Sequence, residues 1–292
     1  MGFTNICLLN KKSMNIFITA PDTASYVLDN SLMRPVGYSL MLLLNPNVVV
    51  FIQAVMCAVI FKLIHSLTKS LWTVIILVLM GAYWIYVPYL LSDLPFAFFV
   101  IVSFYFLVQK KFWWHLVFIG MASLFKSTIA WYFIIEPLMI WFVFRDIKLA
   151  VLSFFLCFIV TSAMPLKNFI DHGIWTHSQI LKLSINEYYF ADADNKPLYM
   201  IYSLFSNAVS THWNYFFSIF GYHKGVSREL WFNLINWAFA VIYSIIWIRF
   251  LIKSVMEKEY YKLIFVGYFM APTIFCHSGG GRWRLPFEFL LL

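Results

Sequence analysis

The chain has 292 residues, 62% of them hydrophobic and only 12% charged, against roughly 45–50% apolar and about 25% charged residues in an average soluble domain. With 32 Phe, 17 Tyr and 12 Trp and a mean hydropathy of +0.80, this composition excludes a disordered chain, which needs low hydrophobicity and high charge, and a water-soluble globule. The apolar runs are unbroken rather than alternating, which excludes a porin-type barrel. What remains is an all-α polytopic membrane protein, in which each span needs about 20 residues to cross about 30 Å of hydrocarbon.

Residues 1–20 hold only short apolar pieces broken by Lys11 and Lys12, a pattern unlike a cleavable signal peptide. Eight spans follow, at about 47–64, 71–87, 93–109, 112–126, 129–144, 149–165, 230–250 and 261–276. A partial ninth begins near Leu285. Several are short for a full crossing, so tilted, paired or partial helices are expected. The whole chain, 1–292, reads as a single transmembrane domain without internal repeats.

The net charge of +8 is topology signalling rather than a nucleic-acid footprint. Lys62, Lys69, Lys110, Lys111, Arg145, Lys148, Arg249, Lys253, Lys258 and Lys262 all fall on one side if the spans alternate. By the positive-inside rule that side is the cytoplasm. The opposite side then carries residues 1–46, the short turns near 88–92 and 127–128, a long polar loop over about 166–229, and the tip 277–284. A loop of that length is usually functional. Cys7, Cys57, Cys157 and Cys276 share no short spacing, and His172, His177, His212 and His223 lack metal-ligand spacing. No metal site is therefore expected, although a divalent cation is compatible with the chemistry below.

Four polar clusters punctuate the outer boundary: Asp22 to Tyr26 with Arg34 to Tyr38, then Lys126-Ser127-Thr128, then Pro165 to Phe169, then Gly279 to Pro286. A basic residue at a span end often only snorkels to the interface. Lys126 is different, since it stands between two short spans with no polar loop around it. Together Arg34, Lys126, Lys167, Arg282 and Arg284 suit a phosphate ester, Arg as a planar bidentate donor and Lys as a mobile point charge. A carboxylate facing them can take the proton of an acceptor hydroxyl or amine. Asp22 is the first candidate and Asp29 and Asp93 are its rivals; Asp93 reads equally as a helix cap with Pro95 just inside the helix start.

At these residues the sequence resembles the GT-C superfamily of membrane glycosyltransferases, in the branch of the dolichyl-phosphate-mannose protein mannosyltransferases and the lipid A aminoarabinose transferase. The resemblance rests on Asp22-Thr-Ala-Ser-Tyr26, Arg34-Pro-Val-Gly-Tyr38, Ser92-Asp93-Leu94-Pro95, Gly120 through Lys126-Ser127-Thr128, Pro165-Leu166-Lys167-Asn168-Phe169 and Arg282-Trp283-Arg284-Leu285-Pro286. It covers about residues 20–292. Members carry a span before the Asp loop and further spans after the Arg-Leu-Pro motif, so an intact relative is expected to be longer at both ends.

The resemblance implies transfer of a sugar from a polyprenyl-phosphate donor to a glycan, lipid or protein acceptor outside a bacterial inner membrane. It makes Asp22 the catalytic base and Arg34 the donor-phosphate contact, with Tyr26, Tyr38, Lys126, Lys167, Arg282 and Arg284 completing the substrate site. A single base without a nucleophilic carboxylate implies inversion, by analogy with sugar chemistry generally. The rival readings are an O-antigen polymerase or ligase, a lipid-linked sugar flippase or transporter, and an inactive fragment.

Overall fold

A computed structural model describes residues 36–79, 83–90, 92–175 and 244–275, together with Pro286 and Leu290. These residues are mostly helical, with no extended strand among them. In chain order the helices are α1 Val36–Met41, α2 Pro46–Thr68, α3 Leu71–Leu79, α4 Asp93–Val108, α5 Phe112–Ser123, α6 Tyr132–Phe144, α7 Ile147–Thr161, α8 Ala163–His172 and α9 Tyr260–Phe275. Residues 244–256 are also helical. Two of these helical stretches, Pro46–Thr68 and Ile147–His172, are long and apolar enough to cross a membrane.

Local chemistry sets the boundaries. Asn45 accepts from the Asn47 amide ahead of Pro46, a proline placed where a helix N–H would be unsatisfied anyway. Asp146 accepts from the amides of Lys148 and Leu149 and so caps α7. At the other ends, Lys69, Lys110, Arg145, Gly173 and Lys258 all adopt left-handed backbone, with φ between 54° and 69°. Two of these ends close in the Schellman pattern. At the end of α4, Lys110 N–H donates to Leu107 O and Lys111 N–H to Phe106 O. After residue 256, Lys258 N–H donates to Val255 O and Glu259 N–H to Ser254 O.

Helix α4 is the axle of the bundle. It packs on α5 and α2, α5 also packs on α7, and α6 lies between α7 and α9. Most of α4 is buried, from Asp93 through Leu107. The peripheral helices turn their large apolar side chains outward. α7 buries Ala150, Ser153, Cys157 and Thr161 and exposes Ile147, Val151, Phe155 and Ile159. Its small residues let backbones approach: a β-carbon on Gly120 of α5 would stand 3.2 Å from Val160 Cβ.

The structure differs from the span expectations in three places. The stretch 71–87 is not one helix: α3 stops at Leu79, Tyr83 has φ 64°, and a single 3₁₀ turn follows at Trp84–Tyr86. A positive φ at a bulky residue cannot be carried inside a helix. The expected loop from 166 begins as helix instead, because α8 runs to His172 with Pro165 in its first turn, where its missing N–H costs nothing. The expected spans at 112–126 and 129–144 hold helices of only 12 and 13 residues, about 18–20 Å long. The turn between them, Leu124 to Trp131, absorbs the rest.

Candidate functional site

Four of the motif segments read from the sequence meet where α4 begins and α5 ends. The first is the Arg34-Pro-Val-Gly-Tyr38 segment, of which Gly37 and Tyr38 are described. Gly37 N–H donates to Leu124 O at 2.7 Å. A β-carbon at residue 37 would stand 2.6 Å from that oxygen, so this approach requires glycine. Tyr38 is fully buried, and its hydroxyl donates to Gln53 Oε1 at 3.1 Å. Gln53 in turn donates to the carbonyls of Val87 and Tyr89 at 2.6 and 3.0 Å. A buried amide side chain thereby pins the irregular segment before α4 to the start of α2.

The second and third segments meet in an ion pair. Lys126 Nζ lies 2.5 Å from Asp93 Oδ1, with the two side chains 15% and 4% exposed. The ammonium also sits 5.6 Å above the Phe96 ring, within cation–π range. Asp93 is the first residue of α4, where a carboxylate is stabilised by the helix dipole, and Pro95 follows within the first turn. The Thr128 hydroxyl is buried and finds no hydrogen-bond partner among the described residues. Its carbonyl accepts from the Tyr268 hydroxyl at 2.6 Å, which ties α9 to the same corner.

The fourth segment, Pro165 to Phe169, follows the α7–α8 join. That join is held to α5 by Ser123, whose hydroxyl donates to Gly120 O at 2.7 Å and Val160 O at 3.3 Å. Met164, Pro165 and Asn168 are buried here. Lys167 turns away from the corner and pairs with Asp171 one turn along, Nζ to Oδ2 2.6 Å.

Asp22, Tyr26, Asp29, Arg34, Arg282 and Arg284 lie outside the described residues. Of the expected site, the structure thus brings Tyr38 and Lys126 into one corner together with the rival carboxylate Asp93, and places Lys167 on an exposed helix face. Among the described residues no group of three or more His, Cys, Asp or Glu side chains is arranged to hold a metal.

A second polar cluster lies along α4 that sequence reasoning missed. His115 and Glu136 are both fully buried, with Nε2 to Oε1 2.8 Å apart. His115 Nδ1 lies 2.7 Å from Ser103 Oγ. One signal was present in the sequence: a histidine and a glutamate interrupting otherwise apolar runs, Trp114-His115-Leu116 and Ile135-Glu136-Pro137. Ionisable residues inside such runs are functional candidates by default.

No protein-family model, curated protein or solved structure matches this chain.

Proposed function

We propose that the chain is a multi-pass membrane glycosyltransferase that takes its sugar from a polyprenyl-phosphate donor, with inversion, on the face opposite the basic turns. The observation that carries this reading is the meeting of Gly37, Asp93 and Lys126 at one corner. Three segments far apart in sequence, each quoted for the glycosyltransferase resemblance, touch there through a backbone hydrogen bond and an ion pair.

The membrane half of the reading draws on the surface as well. Trp72, Trp113, Trp114, Trp131 and Trp141 are exposed near helix ends, as in the aromatic belts of bilayer interfaces. Phe51, Ile134, Leu138, Phe155 and Ile159 are exposed between such ends. A helix such as α7, with small and polar residues inward and large apolar residues outward, is ordered for contact with lipid.

In this mechanism the acceptor hydroxyl or amine attacks the anomeric carbon as the bond from that carbon to the phosphate oxygen breaks. The bonding pair leaves on the polyprenyl phosphate, and the acceptor proton passes to the Asp22 carboxylate. Arg34 and Lys126 stabilise the charge that grows on the departing phosphate. Asp93 keeps Lys126 ionised and aimed, a role that replaces its reading as a rival base. The lipid tail lies along the apolar helices.

The test is transfer from a radiolabelled polyprenyl-phosphate sugar in membranes, at matched expression. Asp22→Asn is nearly isosteric and is expected to abolish transfer while donor binding persists. Arg34→Ala is expected to weaken both, because a phosphate contact exists before the transition state. Near-normal transfer by Asp22→Asn removes Asp22 as the base, since asparagine would serve equally well in a simple turn.

A further inference from the structure

The hydrogen positions in the Ser103–His115–Glu136 cluster can be counted from its geometry. His115 Nδ1 faces two oxygens of one residue: Ser103 Oγ at 2.7 Å and the Ser103 carbonyl at 3.1 Å. The carbonyl carries no hydrogen, so this contact is attractive only if Nδ1 carries one. The Ser103 hydroxyl then spends its own hydrogen on the His115 carbonyl, 2.9 Å away. Nε2, 2.8 Å from Glu136 Oε1, needs a further hydrogen between the two atoms. A neutral imidazole already protonated at Nδ1 and an ionised carboxylate supply none, and would oppose two lone pairs at that distance.

The other tautomer fares no better. With the hydrogen on Nε2, the Nδ1 lone pair would face the Ser103 carbonyl, and a full negative charge would remain in the bundle core. That charge would have little to hold it, since Glu136 Oε2 is buried and has no partner among the described residues. The ionisable neighbours that face the pair are neutral groups whose ionisation would only add negative charge: Tyr132 from α6, Cys157 from α7 and Tyr268 from α9. The Tyr132 hydroxyl donates to Met139 Sδ at 3.4 Å and not to the carboxylate. From α4 only the Ser103 hydroxyl and carbonyl face the ring, and from α5 the cluster member is His115 itself. The only ion pair Glu136 makes among the described residues is with His115.

We propose that Ser103, His115 and Glu136 form a proton-binding site inside the bundle, holding one proton beyond those of a neutral histidine and an ionised glutamate. The proton belongs to the pair, as imidazolium with carboxylate or as imidazole with carboxylic acid. Bound there, it closes the contact between α5 and α6, while Nδ1 and the serine close that between α5 and α4. When it leaves, a lone-pair repulsion and an uncompensated carboxylate replace a hydrogen bond. The pair is thus a proton-dependent clasp on three helices, separate from the corner at Lys126.

The test uses the full chain reconstituted in nanodiscs near neutral pH. Histidine labelled with ¹⁵N reports imidazolium by magnetic resonance, and infrared spectra report a buried carboxylic acid. Wild type is expected to give one of the two signals, persisting in alkaline buffer beyond solvent-exposed histidines and absent from Glu136→Gln, whose amide can still donate to Nε2. Neither signal in wild type, or the same signal in both proteins, overturns the site. The second readout is linkage: the unfolded chain near neutral pH releases this proton, so wild type loses stability as pH rises, by up to tenfold in the folding equilibrium per pH unit. Glu136→Gln is expected to lack that slope, and identical pH profiles also overturn the proposal. If Glu136→Gln does not fold, the wild-type spectra alone decide.

Discussion

Helix α4 carries two polar clusters, ten residues and about 15 Å apart along its axis, and they solve the same problem differently. At Asp93 the charge sits on a helix N-terminus, opposite a lysine still 15% exposed and backed by an aromatic ring. The dipole and partial hydration share the cost of ionisation there. At Ser103 no terminus and no water are at hand, and charge is met only by the one histidine on α5 and the one glutamate on α6. The first arrangement leaves an edge where a ligand oxygen can compete for Lys126. The second leaves no edge, so the only ligand it admits is a proton.

That contrast is sharpest under removal of a partner. Glu136→Ala strips His115 of its counterpart in a dry core, and breaking a buried pair costs about 3–5 kcal/mol. A large loss of folded protein in membranes is expected, measured by detergent-resistant thermal unfolding. Replacing both residues by apolar ones of similar volume, His115→Phe with Glu136→Leu, is expected to recover most of it. Failure to recover would mean that the cluster fixes helix register rather than merely neutralising itself. At the other end, Lys126→Ala is expected to cost about 1–2 kcal/mol, discounted for partial exposure, while transfer falls far more steeply. Exchanging the charges, Asp93→Lys with Lys126→Asp, should restore stability and not transfer; restored transfer would make the pair a structural tie alone. The smallest effect belongs to Lys167→Ala. Its partner Asp171 is exposed on the same helix, so unfolding should be unchanged within error, and a strong transfer defect would return Lys167 to the donor site.

How far the sequence carried the fold follows from which forces are local. The helical class and most helix starts rest on apolar run length and on residues such as Asp146 and Pro46, and these were legible. So was the membership of Tyr38, Lys126 and Asp93 in a polar outer boundary, because each interrupts an apolar pattern at a span end. The ion pair itself was not, since it joins residues 33 positions apart and no local period encodes that. α8 was hidden for the opposite reason. Lys167, Asn168, Asp171 and His172 give it a loop-like polarity, although Gly173 at φ 69° is the stop signal of a helix. His115 and Glu136 were visible as intrusions, but their partnership depends on how α5 and α6 are juxtaposed around α4.

The left-handed helix ends have a consequence for how such a chain is made. Any L-residue other than glycine pays about 1 kcal/mol to adopt that conformation, and glycine is the usual occupant. Yet Lys69, Lys110, Arg145 and Lys258 occupy four of these ends, while Gly173 occupies the one that the proposed topology places across the membrane. Each strained turn therefore does two jobs at one position. It reverses the chain, and it presents a fixed cation at the tip of the reversal, the part of a nascent hairpin that the insertion machinery meets first. Four glycines would fold with less strain and leave those hairpins without a return address.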